Sequence, residues 1–110
     1  MIKVVIERRC RPGKEIDMWN LLTGLRGNAM QHHGYVSGET LQCATDPSVW
    51  LVVSTWVDEQ HWEQWNAGRE RHEVMNQFEP ILLEPERVRV FRFAAAAGPS
   101  IVSHQVMGEM

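Results

Sequence analysis

Basic charge is what this 110-residue chain is short of: eleven Lys and Arg stand against fourteen Asp and Glu, for a formal net charge of −3. Without a basic excess there is no electrostatic footprint for nucleic acid or an anionic membrane surface, and neither partner is expected. No apolar run reaches transmembrane length. The opening Met-Ile-Lys-Val-Val-Ile-Glu alternates like a strand and meets a charge at Glu7, unlike a signal peptide, so a cytoplasmic protein is expected. Cysteine is scarce as well. Cys10 and Cys43 match neither a Cys-x-x-Cys redox motif nor a zinc spacing and are read as reduced packing residues. Gly-x-Gly-x-x-Gly, a phosphate loop, a Gly-x-Ser-x-Gly elbow and a His-x-x-x-His pair are all missing, which sets aside nucleotide binding, elbow hydrolases and helical zinc sites. Glu70, His72 and Glu73 are neighbours in sequence but not at a spacing that converges on one ion, so no metal is expected.

What is present is ordinary globular material, 44% hydrophobic and 23% charged, enough for one domain with a core but not for a large enclosed cavity. Ile2 to Arg9 alternates as a strand, with Ile2, Val4 and Ile6 on one side, and Pro12-Gly13 ends it. From Lys14 to about His33 the apolar positions Ile16, Trp19, Leu22, Leu25 and Ala29 form a helical stripe, with Gly34 as the C′ stop. Gly24 and Gly27 within it imply a bend or close contact, or simple loosening. Tyr35 to Ala44 and Val49 to Val57 read as a hairpin turned by Asp46-Pro47-Ser48. Asp58 is a good N-cap for the next helix, which Asn66-Ala67-Gly68 interrupts; a second stretch, about Arg69 to Leu82, meets a kink or break at Pro80. Arg69-Glu70-Arg71 reads as a solvated helix face. Arg87 to Phe93 is the last strand, and β-α-β-β-α-β is the order of a ferredoxin-like α+β domain with an antiparallel sheet. That domain spans residues 1–94. Residues 95–110 follow a small-residue hinge as a tail, either disordered or packed on a partner.

The third strand alternates Val49, Leu51 and Val53 with Trp50 and Val52, so both its faces are apolar. Right-handed crossovers put both helices on one side, which leaves the other face for a second subunit. Two such sheets face to face make a dimeric α+β barrel, and a homodimer is expected.

Three of the five tryptophans fall within ten residues, Trp56, Trp62 and Trp65, where a strand hands over to a helix. Indole is large and its N–H wants a partner, so the cluster is either a heavy core or the wall of a flat pocket. Trp62, Trp65, Met75 and Phe78 can line such a slot. His61 and His72 are the candidate bases, having the side chain whose ordinary pKa lies near neutrality, and each can equally be a surface residue.

In its element order over residues 2 to 93, its Gly34-Tyr35 step and the spacing of Trp56 and Trp65, the chain resembles the antibiotic biosynthesis monooxygenase family of dimeric α+β barrels. The resemblance implies a cofactor-independent monooxygenase that oxidises a quinol- or anthrone-type aromatic molecule, with His72 or His61 as base and Trp65, Trp62, Met75 and Phe78 around the substrate. Two alternatives stay open: a haem-binding, haem-degrading enzyme with Trp65 on the porphyrin and His72 as axial ligand, and a non-catalytic ligand-binding dimer. The anthrone-oxidising members carry an asparagine four residues before the pocket tryptophan, where this chain has His61. The haem-degrading members place an asparagine near the end of the first strand, where it has Glu7.

Overall fold

In a computed structural model, which describes residues 1–94, the chain runs β1 (Ile2–Arg9), α1 (Glu15–Ala29), β2 (Tyr35–Gln42), β3 (Val49–Trp56), α2 (Glu59–Asn66), α3 (Arg69–Phe78) and β4 (Arg87–Arg92), with a 3-10 turn over Glu79–Ile81. The sheet order is β2-β3-β1-β4 and every pairing is antiparallel. This is the ferredoxin-like α+β arrangement expected from the element order. The tail expected at 95–110 lies outside the described residues.

Pairing fixes the two faces of the sheet, because residues directly opposite across an antiparallel ladder point the same way. Ile2, Val4, Ile6 and Arg8 stand opposite Trp56, Ser54, Val52 and Trp50, and all except half-buried Val52 are buried beneath the helices. Lys3, Val5, Glu7 and Arg9 face the other way with Val49, Leu51, Val53 and Thr55. Most of that open face is only half-buried, and Leu41 and Phe91 stand exposed on it.

Helix α1 is shorter than expected and rotated. It stops at Ala29, and Met30 to Gly34 form a turn instead of about four further helical residues and a cap. Its buried stripe is Met18, Leu22, Leu25 and Ala29, whereas Ile16 and Trp19 are 76% and 53% exposed. Counting back four from Leu22 reaches Met18 and counting back three reaches Trp19. Both are allowed helical spacings, and only Met18 shares the heptad phase that also links Leu22 to Ala29. Gly24 and Gly27 face open space, so they loosen the helix without admitting a close neighbour.

Gly34 has φ +90, and a Cβ there would overlap the His61 ring. Its carbonyl accepts the Val57 N–H at 2.8 Å, which ties the end of α1 to the β3–α2 junction. Glycine is required at this crossing by both conformation and space. The break at Asn66–Gly68 is present and separates α2 from α3, while Pro80 sits in the 3-10 turn rather than kinking a longer helix. Of the two cysteines, Cys10 is buried and Cys43 is exposed at the end of β2, so only the first is a packing residue.

Candidate active site

The strand-to-helix junction is built by an N-cap. The Asp58 carboxylate accepts from the His61 backbone N–H at 2.9 Å and lies 2.7 Å from the His61 ring Nδ1. The backbone contact, then the ring, holds the Asp58 carboxyl below its ordinary range. Started in this register, α2 directs Trp62 and Trp65, three apart, onto the sheet, where they are 4% and 3% exposed. Trp56 lies beneath them at 1%, edge-on to Trp62 with ring centres 5.8 Å apart and roughly parallel to Trp65 at 6.4 Å. Its indole N–H donates to Ser54 Oγ at 3.1 Å, so this buried polar atom is satisfied. Tyr35 closes one end, perpendicular to Trp56 at 5.3 Å.

Between this aromatic cluster, α1 and the sheet lies a partly open cavity of about 50 Å³. Trp56, Trp62, Trp65 and Tyr35 wall it together with Leu22, Leu25, Val52 and Ile6; Ser54 and Thr40 add hydroxyls. Two cations line it, Arg26 from an exposed position on α1 and Arg8 from the buried face of β1.

Arg8 is 1% exposed and belongs to a buried trio. Its Nη2 lies 2.8 Å from Glu86 Oε1, while Arg71 Nη2 donates to Glu86 Oε2 at 3.0 Å. Phe78 lies under the Arg8 guanidinium at 4.8 Å, and the Met75 sulfur accepts from its Nη2 at 3.9 Å. Arg71 lies 5.6 Å from the Trp62 ring centre. Burial is the largest influence on Arg8 and lowers its pKa to about 10; Glu86 pulls the other way and Arg71 adds to the lowering. The segment Arg69-Glu70-Arg71 is therefore not wholly a solvated face, because Arg71 is 5% exposed.

The residues put forward from sequence divide between two places. Trp62 and Trp65 line the cavity. Met75 and Phe78 do not; they pack against Arg8, which does. His72 is exposed on α3 and lines, with Met75, Asn76, Glu79 and Glu86, an open outer cleft of about 450 Å³. His61 is outside the lining, held by Asp58 and packed on Gly34. Trp65 and His72, on separate helices either side of the break, face different cavities, so a porphyrin against Trp65 would not meet His72 as its axial ligand. These residues do not fit haem. Another histidine is nearer the aromatic cluster: His32 lies edge-on to Trp65 at 4.8 Å with its Nε2 3.2 Å from Glu70.

Arg8 and Tyr35 are among the lining residues that the sequence did not single out. The signal for Arg8 was there, since the buried alternation Ile2, Val4, Ile6 reaches it one step further on. Glu86, which partners it from the loop before β4, gave none.

A family model described as antibiotic biosynthesis monooxygenase matches residues 1–77. No curated protein sequence matches the chain. Among solved structures it is similar to a conserved protein from Methanosarcina mazei Go1, with 20% identity over 83% of this chain and 90% of that one and a TM-score of 0.77. It is similar to SnoaB, a cofactor-independent oxygenase from Streptomyces nogalater, with 10% identity, 84% and 91% coverage and a TM-score of 0.76. Rv0793 from Mycobacterium tuberculosis matches with 14% identity, 84% and 93% coverage and the same score, 0.76. At these identities the likeness is one of fold.

Proposed function

The chain belongs to the antibiotic biosynthesis monooxygenase family, and from that premise we propose that it oxidises a small quinol-type aromatic molecule with O₂, without a resident cofactor. The observation that carries this reading is the cavity under Trp56, Trp62 and Trp65, whose flat apolar walls suit an aromatic ring and whose few polar groups can orient its oxygens. An electron-rich ring can itself reduce O₂. In the monooxygenase balance a quinol and O₂ give a hydroxyquinone and water: one oxygen atom enters at a ring C–H carbon, and the other leaves as water with two hydrogens, the ring supplying all four electrons. The protein's part is to hold the ring, exclude bulk water and stabilise developing negative charge. His61 and His72 stand outside the lining, and the proposal assigns neither a step.

At about 50 Å³ the cavity is smaller than the roughly 300–1,000 Å³ of ordinary ligand sites, so a substrate must widen it. Arg26 and Glu39, lining residues at exposed positions, are the side chains that can move aside. One ring demands less widening than three, which favours a monocyclic quinol over an anthrone. Oxygen consumption with a panel of quinols tests the reading: uptake that ceases in Trp65→Ala is expected, and no uptake with any of them would sink it.

We further propose that the protein acts as a homodimer joined through the open sheet face. Val5, Val53 and Leu51 on that face leave an apolar strip that a second copy would cover. Val53→Asp is expected to give monomers in light scattering, and wild-type protein already monomeric at micromolar concentration would refute it.

A further inference from the structure

We propose that the cavity takes its substrate as an oxyanion, a phenolate or enolate, and that Arg8 is the residue that selects the ionised form. The proposal rests on reading this cavity as the substrate site, and it adds the charge of what enters.

Charge in the buried trio does not balance. Arg8 and Arg71 share the single carboxylate of Glu86, so a buried group of three side chains carries one uncompensated positive charge. Glu86 does not satisfy the two arginines alike. Its Oε2 accepts a hydrogen bond from Arg71, whereas its contact with Arg8, though 2.8 Å, lacks hydrogen-bond alignment at Oε1. The one hydrogen bond Arg8 donates among the described residues goes to a thioether sulfur, a weak acceptor, and its Nε donates to nothing. A guanidinium 1% exposed, lining a cavity and short of acceptors, is a standing demand for an anionic oxygen.

No histidine lines the cavity, and its one lining carboxylate, Glu39, sits at an exposed position and is far too weak a base to hold a phenol's proton. His61 and His72 lie outside it, and Tyr35, Ser54 and Thr40 contribute hydroxyl groups. A phenol entering as the neutral acid would find no group there matched to accept its proton. A phenolate would find a buried cation in low dielectric, where opposite charge favours the ionised form most strongly. Selecting the anion by binding thus does the work a general base would otherwise do, because the phenolate is the form that gives electrons to O₂. Arg26, the other lining cation, is exposed and solvent screens it.

The test uses 4-nitrophenol, whose ionised form absorbs in the visible, titrated with the full-length protein at a pH near the phenol's own pKa. An increase in the phenolate band is expected, reporting at least about tenfold tighter binding of phenolate than of phenol. The uncharged ether 4-nitroanisole is expected to bind no better than the neutral phenol. Arg8→Gln leaves Arg71 and Glu86 as a neutral pair and should abolish the preference, whereas Arg26→Gln should keep it. Equal binding of the two forms by wild-type protein overturns the proposal without any variant, and a preference lost in Arg26→Gln instead overturns the assignment to Arg8. Should Arg8→Gln fold poorly, Arg8→Lys serves: it keeps the charge and should keep a reduced preference, and undiminished or absent preference in that folded variant counts against the guanidinium. Because the readout is binding, silence in oxygen uptake would refute the oxidation and leave this result standing.

Discussion

Strands β1 and β4 are written in nearly the same letters, Ile-Lys-Val-Val-Ile-Glu-Arg-Arg and Arg-Val-Arg-Val-Phe-Arg, and they are hydrogen-bonded to each other. Yet β1 alternates buried and half-buried residues along its whole length, while every residue of β4 is exposed. Val4 and Val90 are direct cross-strand partners on the same face, one 0% exposed and the other 39%. Period-two alternation tells which residues share a face, but place in the sheet decides whether that face is covered. β1 is central, between β3 and β4, and β4 is an edge. The same rule makes Arg8 a buried, under-satisfied cation and Arg92, on the same face opposite Ile2, an ordinary surface one.

The largest effect should come from putting one charge on each member of the Val4–Val90 pair. Val4→Asp buries a carboxylate among apolar side chains and is expected to cost more than about 4 kcal/mol, enough to unfold the domain. Val90→Asp places the same carboxylate in water, on the same face as Arg92, and is expected to stay within about 0.5 kcal/mol of wild type. Urea denaturation of the two variants reads the difference directly. Similar losses would mean that β4 is covered in solution, and the contrast between the strands would collapse.

The next contrast compares the carboxylates that serve the two arginines. Glu86 is the only acid in the buried trio, so Glu86→Gln strands Arg8 and Arg71 without a counter-charge and is expected to cost about 3–5 kcal/mol. Glu59 pairs with Arg92 at 2.7 Å, a shorter contact than either made by Glu86, but both partners are well exposed. Glu59→Gln is expected to cost less than about 1 kcal/mol, because water screens the pair whatever its length. Distance alone would rank them the other way, and equal losses would show that the trio is more hydrated than its burial implies.

These pairs also mark how far the sequence could be read. Element order, the Asp58 cap, the break at Asn66–Gly68 and the inward turn of Trp62 and Trp65 were legible because each depends on residues within a few positions of one another. The phase of α1 was not, since Met18 and Trp19 are both apolar and only tertiary packing chooses between them. Nor was the trio. Arg8, Arg71 and Glu86 are brought together from β1, α3 and the loop before β4, and no local pattern announces a partner so distant in sequence. Met75 and Phe78 carried a real signal, apolar residues at helical spacing, but it could not say that they pack on an arginine.

The last contrast belongs to an exposed charge, at the cap of α2. Asp58 accepts from the His61 backbone N–H and ring, and these contacts hold its carboxyl below the ordinary value of 3.8. A carboxyl depressed in the folded state contributes stability that is fully present above its unfolded pKa and lost as pH falls through the folded one. Asp58→Ala is therefore expected to lower Tm by a small, constant amount from neutral pH down to about pH 4, where the wild-type carboxylate stays ionised. Below that, wild type should lose the advantage and the two melting curves should converge, while the buried trio, common to both proteins, cancels in the difference. A gap between the curves that widens on acidification would mean that the capping carboxyl is stabilised in its protonated form, reversing the sign assigned to it.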